Sequence, residues 1–417
     1  MKKKVVIVGG GIIGFSCAYY LIEEGHEVIL VDKNSFDSGA SIVNAGYIIP
    51  SHIIPLASPE VLRKGIKWML NSNSPFYIKP RFNKDLINWG INFIKSSNFR
   101  HVNRSISIIK KINEFSKELY LELRDSKKID FKIYEKGLLM AFKTSEAEKE
   151  EFKTAKIARE LEMNVQELSQ NEVNSMQPKI KMNIKGAFWY KSDAHLTPET
   201  FMNNLKSYLL KKGLKVYKEN LVESFNYNSG IINSIRTKKN EIFGDEFVIA
   251  AGAWSENLLK KLRIKLLIQA GKGYRINLLK NTGISYPAIL LEDKVAVTPM
   301  DGFTRFGGTM EISGLNTKIN FKRVNAIAKS SEEYYEGLKI SSQNINDAQC
   351  GLRPLSPDGL PFIGRHSSYN NLVLATGHSM MGWSLGPVTG KLVSEIISGK
   401  KESISIDPFN PERKFGY

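Results

Sequence analysis

Residues 5–22, VVIVGGGIIGFSCAYYLI, carry no charge and follow Met1-Lys2-Lys3-Lys4. Hydropathy alone would make this a spanning helix or a leader. Three consecutive glycines, Gly9-Gly10-Gly11, argue against one continuous helix, since each glycine costs about 1 kcal/mol relative to alanine. The run divides more naturally. Val5 to Val8 reads as a buried parallel strand, apolar on both faces. The glycines form a turn, Ile13 to Glu24 a helix ending before Gly25, and His26 to Asp32 a second buried strand. This is one βαβ unit, and no membrane span is expected.

Gly9-x-Gly11-x-x-Gly14 lies between that strand and helix, and Asp32 ends the next strand. Gly9 suits the tight turn, Gly11 lets backbone approach a pyrophosphate, and Gly14 lets helix pack on strand. The helix N-terminus offers free N–H groups to an anion. Asp32 can accept from ribose hydroxyls and disfavours a 2′-phosphate, hence NADP. Strand, helix and acid together make the fingerprint specific for a dinucleotide. An NAD domain would continue with further βαβ units. Here the chain runs into Ser38-Gly39-Ala40-Ser41 and Asn44-Ala45-Gly46. Two distant segments, VIAAGAWS and LVLATGHSMMGW, read as strands ending in glycine at the same sheet edge. That split arrangement suits an extended cofactor such as FAD.

The chain of 417 residues is too long for one core, so two or three domains are expected. Strands and helices interleave without repeats, which favours two interleaved domains. The fold class expected is α/β, α+β overall. A Rossmann-like FAD-binding domain comprises residues 1–57, 146–174, 196–267 and 350–417. A substrate domain on a mixed or antiparallel sheet comprises 58–145, 175–195 and 268–349. Helices are expected from Ser58-Pro59, after Asn83, over 104–124, from Ser145 with Glu148, from Ser169 with Glu172, and from Thr197 to Gly213. The net charge of +17 would suit nucleic acid, anionic lipid or an acidic partner. Lysine is spread along the whole chain, however, and the aromatics fall in core-like patterns, so no nucleic-acid partner is expected. Two cysteines, Cys17 and Cys350, exclude a disulfide framework and point to a reducing compartment. Six scattered histidines give no metal-ligand spacing.

The motifs GGGIIG with VDK, GAS-x-x-NAG, GAWS, KGY, GGTMEI, GLRPLSPDGLPFIGR and NL-x-LATGHSMMGW run over nearly the whole chain. In these the sequence resembles the D-amino acid oxidase family of flavoproteins, and most of all its D-amino acid dehydrogenase branch. Residues 145–185 carry no such motif. The resemblance implies FAD held near Gly9, Gly11, Ile12, Ile13, Gly14, Asp32, Lys33, Ser41, Asn44, Ala45, Gly46, Ile48, Val222, Ala251, Gly252 and Trp254, and near Gly377, His378, Met381, Gly382 and Trp383. Related sarcosine-type oxidases attach FAD through a cysteine. Cys350 falls one position before the matching place, which Gly351 occupies, so non-covalent FAD is expected.

The resemblance also implies that Arg353 binds a substrate carboxylate, with an ion pair to Asp358 as the structural alternative. Tyr274 and His52 are the other substrate contacts considered, and Lys272 a lesser one. The reaction implied is oxidative deamination of a D-amino acid, D-proline or D-alanine among the options. Hydride passes from the α-carbon to flavin N5, and electrons pass on to a quinone or other carrier. A secondary-amine or N-methyl amino acid oxidase, glycine-oxidase-like, is the nearest alternative, and a basic nucleic-acid-associated flavoprotein a distant one. A cytoplasmic protein, in peripheral contact with the inner face of the membrane where quinones lie, fits the positive charge.

Overall fold

The computed structural model describes residues 1–69 and 75–416, with side chains of 66–69 outside the description. One sheet has six strands in the order Phe362–His366, Tyr369–Thr376, Glu246–Ile249, Lys4–Val8, Glu27–Val31 and Lys215–Tyr217. All neighbours are parallel except the edge strand Phe362–His366. The two glycine-ended segments therefore join the first βαβ unit in one sheet, as the sequence implied. Lys4–Val8 lies at the centre, which explains its apolar character on both faces.

The helix Ile12–Glu23 is buried on nearly every side. The helix Gly386–Ser398 packs against it at close range, because Gly386 and Gly390 present no side chain there. A Cβ at Gly390 would lie 2.4 Å from the Ser16 carbonyl oxygen. The uncharged N-terminal run is thus core. Among the described residues no helix is long and apolar enough to cross a membrane.

The second sheet is mixed, in the order Gln349–Leu355, Gln269–Leu278, Phe303–Ile312, Val295–Met300, Ala288–Leu290, Leu138–Phe142, Gly186–Tyr190 and Val165–Ser169, with Phe76–Ile78 beside Phe303–Ile312. Three segments pack differently from the expected division. Val165–Ser169 pairs with Gly186–Tyr190, and Ala155 and Ala158 of the helix Ser145–Glu160 pack with Phe142 and Phe188. Segment 146–174 therefore stands with the second sheet. The strand Gln349–Leu355, which holds the GLRP motif, also pairs there, with Gln269–Leu278. In the other direction, the helix Phe99–Asp125 buries Ile109, Ile112, Tyr120 and Leu123 in the nucleotide-side core. Its N-cap is Asn98, while Asn83 and Ser169 cap their helices as expected. The cap expected at Ser145 is one residue earlier: Thr144 Oγ1 accepts from the Ala147 N–H at 3.2 Å.

Candidate functional site

The two sheets meet around a cavity of about 910 Å³, at the upper end of small-molecule sites (roughly 300–1,000 Å³). Its nucleotide-side wall includes Gly9, Gly11, Ile12, Ile13, Asp32, Lys33, Ser41, Asn44, Ala45, Val222, Ala251, Gly252 and Trp254. His52, Arg353, His378, Gly382 and Trp383 also line it. The expected residues thus converge on one space, although they come from both sheets.

Five expected residues do not line it. Gly14 lies beneath the turn, where a Cβ would sit 1.8 Å from the Gly9 carbonyl oxygen. Gly46 and Gly377 hold left-handed backbone at φ 75°. Ile48 and Met381 are core side chains.

The glycine turn keeps space that side chains would fill. Gly9 has φ 118°, and a Cβ there would meet the Ala250 carbonyl oxygen at 2.3 Å. Asp32 also ties the turn together. Its Oδ2 accepts from the Gly10 N–H and its Oδ1 from the Asn34 N–H, each at 2.7 Å. Each carboxylate oxygen keeps a further lone pair for a ligand. Ser41 Oγ accepts from the Ile12 N–H at 2.9 Å, tying the Ser38–Ser41 loop to the helix start. Lys33 Nζ lies 3.5 Å from the Trp254 ring centroid.

Two polar atoms of the lining residues are buried without a hydrogen-bond partner among the described residues: His378 Nδ1 and Trp383 Nε1. His378 Nε2 lies 2.9 Å from Thr389 Oγ1. Burial pushes the His378 pKa down to about 3, so its ring is neutral. Buried polar atoms left unpaired are costly. With the glycine cradle and Asp32, they fit a large polar planar group such as FAD.

Arg353 is a buried cation lining the cavity. Its Nη1 donates to the Thr309 carbonyl at 2.9 Å. Thr309 itself has φ 71°, a strained conformation for a β-branched residue. No carboxylate lies within 4 Å of the guanidinium among the described residues. The alternative partner, Asp358, is engaged elsewhere: Arg413 Nε and Nη2 donate to its two oxygens at 2.7 and 2.9 Å. Burial alone lowers the Arg353 pKa, to about 10, so it remains charged at neutral pH. Gly273 makes the space, since a Cβ there would lie 2.3 Å from Nη1. Ser379 N–H donates to the Pro354 carbonyl at 2.9 Å, which pins the GLRP strand to the turn bearing His378.

Tyr274 is a correction. Although it borders the cavity, it pairs with Cys350 across the ladder, whereas Arg353 pairs with Gly271. Alternation puts Tyr274 and Arg353 on opposite faces. The Tyr274 hydroxyl donates to Glu311 Oε2 at 2.9 Å. Lys272 shares that face: it is buried, with Nζ 2.5 Å from Asn316 Oδ1 and 3.6 Å from Glu311. Neither is free to meet a substrate in the cavity. His52 does line it, and burial together with Lys294 lowers its pKa, keeping it neutral.

Sequence reasoning missed three residues. Arg305, fully buried, donates to the carbonyls of Ile42 and Asn44 at 2.9 and 2.6 Å, clamping that loop onto the second sheet. Glu151, buried at the cavity wall, accepts from the Tyr190 hydroxyl at 2.6 Å. Asp193 accepts from Ser51 N–H at 3.1 Å and Ser51 Oγ at 2.5 Å, holding the loop that carries His52. Only the GGTMEI motif signalled any of these, by standing next to Arg305.

Burial raises the Asp193 pKa from 3.8 to about 7. Between those values the folded chain binds a proton that the unfolded chain has lost. Asp193 therefore opposes folding increasingly as pH rises from about 4 to 7, by about 1.4 kcal/mol per unit at most, and constantly above. In Asp193→Asn this contribution should vanish, so the variant gains stability relative to wild type between pH 5 and pH 8. Parallel melting curves at the two pH values would contradict the assignment.

The family model for FAD dependent oxidoreductases matches residues 4–396. A D-amino acid dehydrogenase of Helicobacter pylori is 29% identical over 402 residues, covering 95% of each chain. Among solved structures, glycine oxidase from Geobacillus kaustophilus superposes with a TM-score of 0.75 at 21% identity, covering 100% of both chains. L-alpha-glycerophosphate oxidase from Mycoplasma pneumoniae, with FAD bound, gives 0.72 at 16% identity and 95% of each chain. The fold is that of these flavoproteins, and the chain belongs to the DAO family of FAD-dependent oxidoreductases.

Proposed function

We propose that this protein oxidises D-amino acids to 2-oxo acids and ammonia, with FAD held non-covalently along the glycine turn and Asp32. The observation that carries the reading is Arg353: a buried, charged guanidinium at a cavity wall with no acidic partner among the described residues. A buried cation without a counter-ion is costly, and a substrate carboxylate removes that cost by bidentate pairing. The similarity to a D-amino acid dehydrogenase over 95% of both chains supports the same reading. FAD, when bound, supplies the two-electron acceptor for the substrate α-hydrogen.

The chain's own part is to bind, orient and exclude water. Arg353 fixes the carboxylate and thereby the α-carbon. The neutral His52 brings no charge to the carboxylate. His378 Nδ1 and Trp383 Nε1 are available to the cofactor. A dedicated general base is not required when the amine enters uncharged. Electrons leave to a quinone or other carrier, and the protein works as a peripheral partner of the membrane's inner face.

Dye reduction under anaerobic conditions with paired D- and L-amino acids, both prolines, glycine and sarcosine tests this. The expected result is preference for D-enantiomers bearing a side chain. Preference for glycine or sarcosine would instead support the secondary-amine alternative.

Geometry supports non-covalent attachment. Cys350 shares the face of Tyr274 and its Sγ lies 3.3 Å from the Thr317 carbonyl. Gly351, which does line the cavity, has no side chain, and a Cβ would lie 2.5 Å from Val43 Cγ2. Acid precipitation should release FAD to the supernatant; flavin retained in the pellet would contradict this.

A further inference from the structure

The helix Lys84–Ser96 buries one apolar face and exposes another. Trp89 is buried, with Leu86 and Phe93 packed beside it against Met310, Ile312 and Leu355. Ile87, Ile91 and Ile94 lie on the opposite side, 52%, 47% and 58% exposed. Their i, i+4, i+7 spacing makes a single stripe. Lys84 and Lys95 fall at its two ends on the same face. Phe82, before the helix, is fully exposed, and Phe99, after it, is 70% exposed. Three large isoleucines in a row are not the scattered exposed apolar residues that every protein carries.

Charge complements the stripe. Residues 79–104 contain six cations, Lys79, Arg81, Lys84, Lys95, Arg100 and Arg104, and one acid, Asp85. Asp85 is neutralised by Lys260 at 2.6 Å. An apolar stripe rimmed by cations is the pattern of a helix lying in a lipid interface, with isoleucines among the acyl chains and lysines at the headgroups. Phe99 also lines the large cavity. The cavity thus reaches the surface next to this face.

We infer that the Phe82–Phe99 face docks on an anionic lipid bilayer, with Ile87, Ile91 and Ile94 inserted and Lys84 and Lys95 on headgroup phosphates. The purpose of such docking, passing electrons to a lipid-borne acceptor, rests on the functional reading above; the face itself does not.

Flotation of the FAD-loaded protein with phosphatidylcholine vesicles, with and without phosphatidylglycerol, tests this. Binding is expected to the phosphatidylglycerol-containing vesicles and to weaken as salt rises. Lys84→Glu with Lys95→Glu should lower partitioning by about fivefold or more per lysine. Ile87→Glu with Ile91→Glu should lower it by about tenfold or more per isoleucine. D-amino acid oxidation with a soluble dye should be unchanged in both variants, since none of these residues lines the cavity. Three results would overturn the docking face: no wild-type binding to either vesicle, equal binding by wild type and the Ile variant, or a wild-type dimer that the Ile variant splits in solution without vesicle binding. The last would assign the stripe to a second copy of the chain. Loss of dye-linked oxidation in the wild type, with vesicle binding intact, would instead sink the functional reading alone.

Discussion

Arg353→Ala should lose amino acid oxidation by about a hundredfold or more in kcat/KM while keeping its FAD. Removing one partner of a buried, hydrogen-bonded charge pair costs roughly 2–5 kcal/mol, and each 1.36 kcal/mol is about tenfold in rate. The guanidinium donates to the Thr309 carbonyl and meets no carboxylate among the described residues, so little of that loss comes from breaking an internal ion pair. Arg353→Lys should recover part only, because an ammonium cannot present the planar fork. The thermal midpoint should stay close to wild type or rise slightly, since an uncompensated buried charge is removed. Asp358→Asn should behave oppositely. It breaks the pair with Arg413, lowering stability without changing substrate preference. A large stability loss in Arg353→Ala with unchanged relative rates among substrates would contradict the carboxylate role.

The second large effect separates two glycines of the same turn. Gly14→Ala should fail to fold, because its Cβ would lie 1.8 Å from the Gly9 carbonyl oxygen, a backbone atom of the central strand–helix junction. Gly11→Val should fold, since a Cβ at Gly11 meets only Ser41 Oγ, at 3.0 Å. Its side chain would instead occupy the approach to the helix N-terminus, where a pyrophosphate must sit. Flavin-to-protein ratio should fall by about tenfold or more at native-like circular dichroism. A folded, yellow Gly11→Val protein would remove the dinucleotide assignment.

These contrasts show what the sequence carried. The first βαβ unit was legible because its signals are local: an apolar run interrupted by glycines, then an acid at a strand end. The convergence of VIAAGAWS and LVLATGHSMMGW followed from strands that end alike. The isolation of Arg353 was not legible, because it depends on Arg413, far along the chain, taking Asp358 away. Tyr274 was misread for a reason of register. In KGY, Gly273 and Tyr274 point to opposite faces, and no local signal says which face meets the cavity. Asp193 is one acid in a turn, and only the folded chain brings Ser51 to it. Segment 146–174 carried no motif, and its sheet was decided by pairing with Gly186–Tyr190.

The most direct measurement is anaerobic bleaching of the bound flavin by an amino acid and by its decarboxylated amine, for example D-alanine against ethylamine and D-proline against pyrrolidine. The account predicts rapid loss of flavin absorbance with the amino acids and rates lower by about a hundredfold or more with the amines. Equal bleaching by amine and amino acid would mean that Arg353 anchors no carboxylate, and the assignment to amino acid oxidation would fall with it.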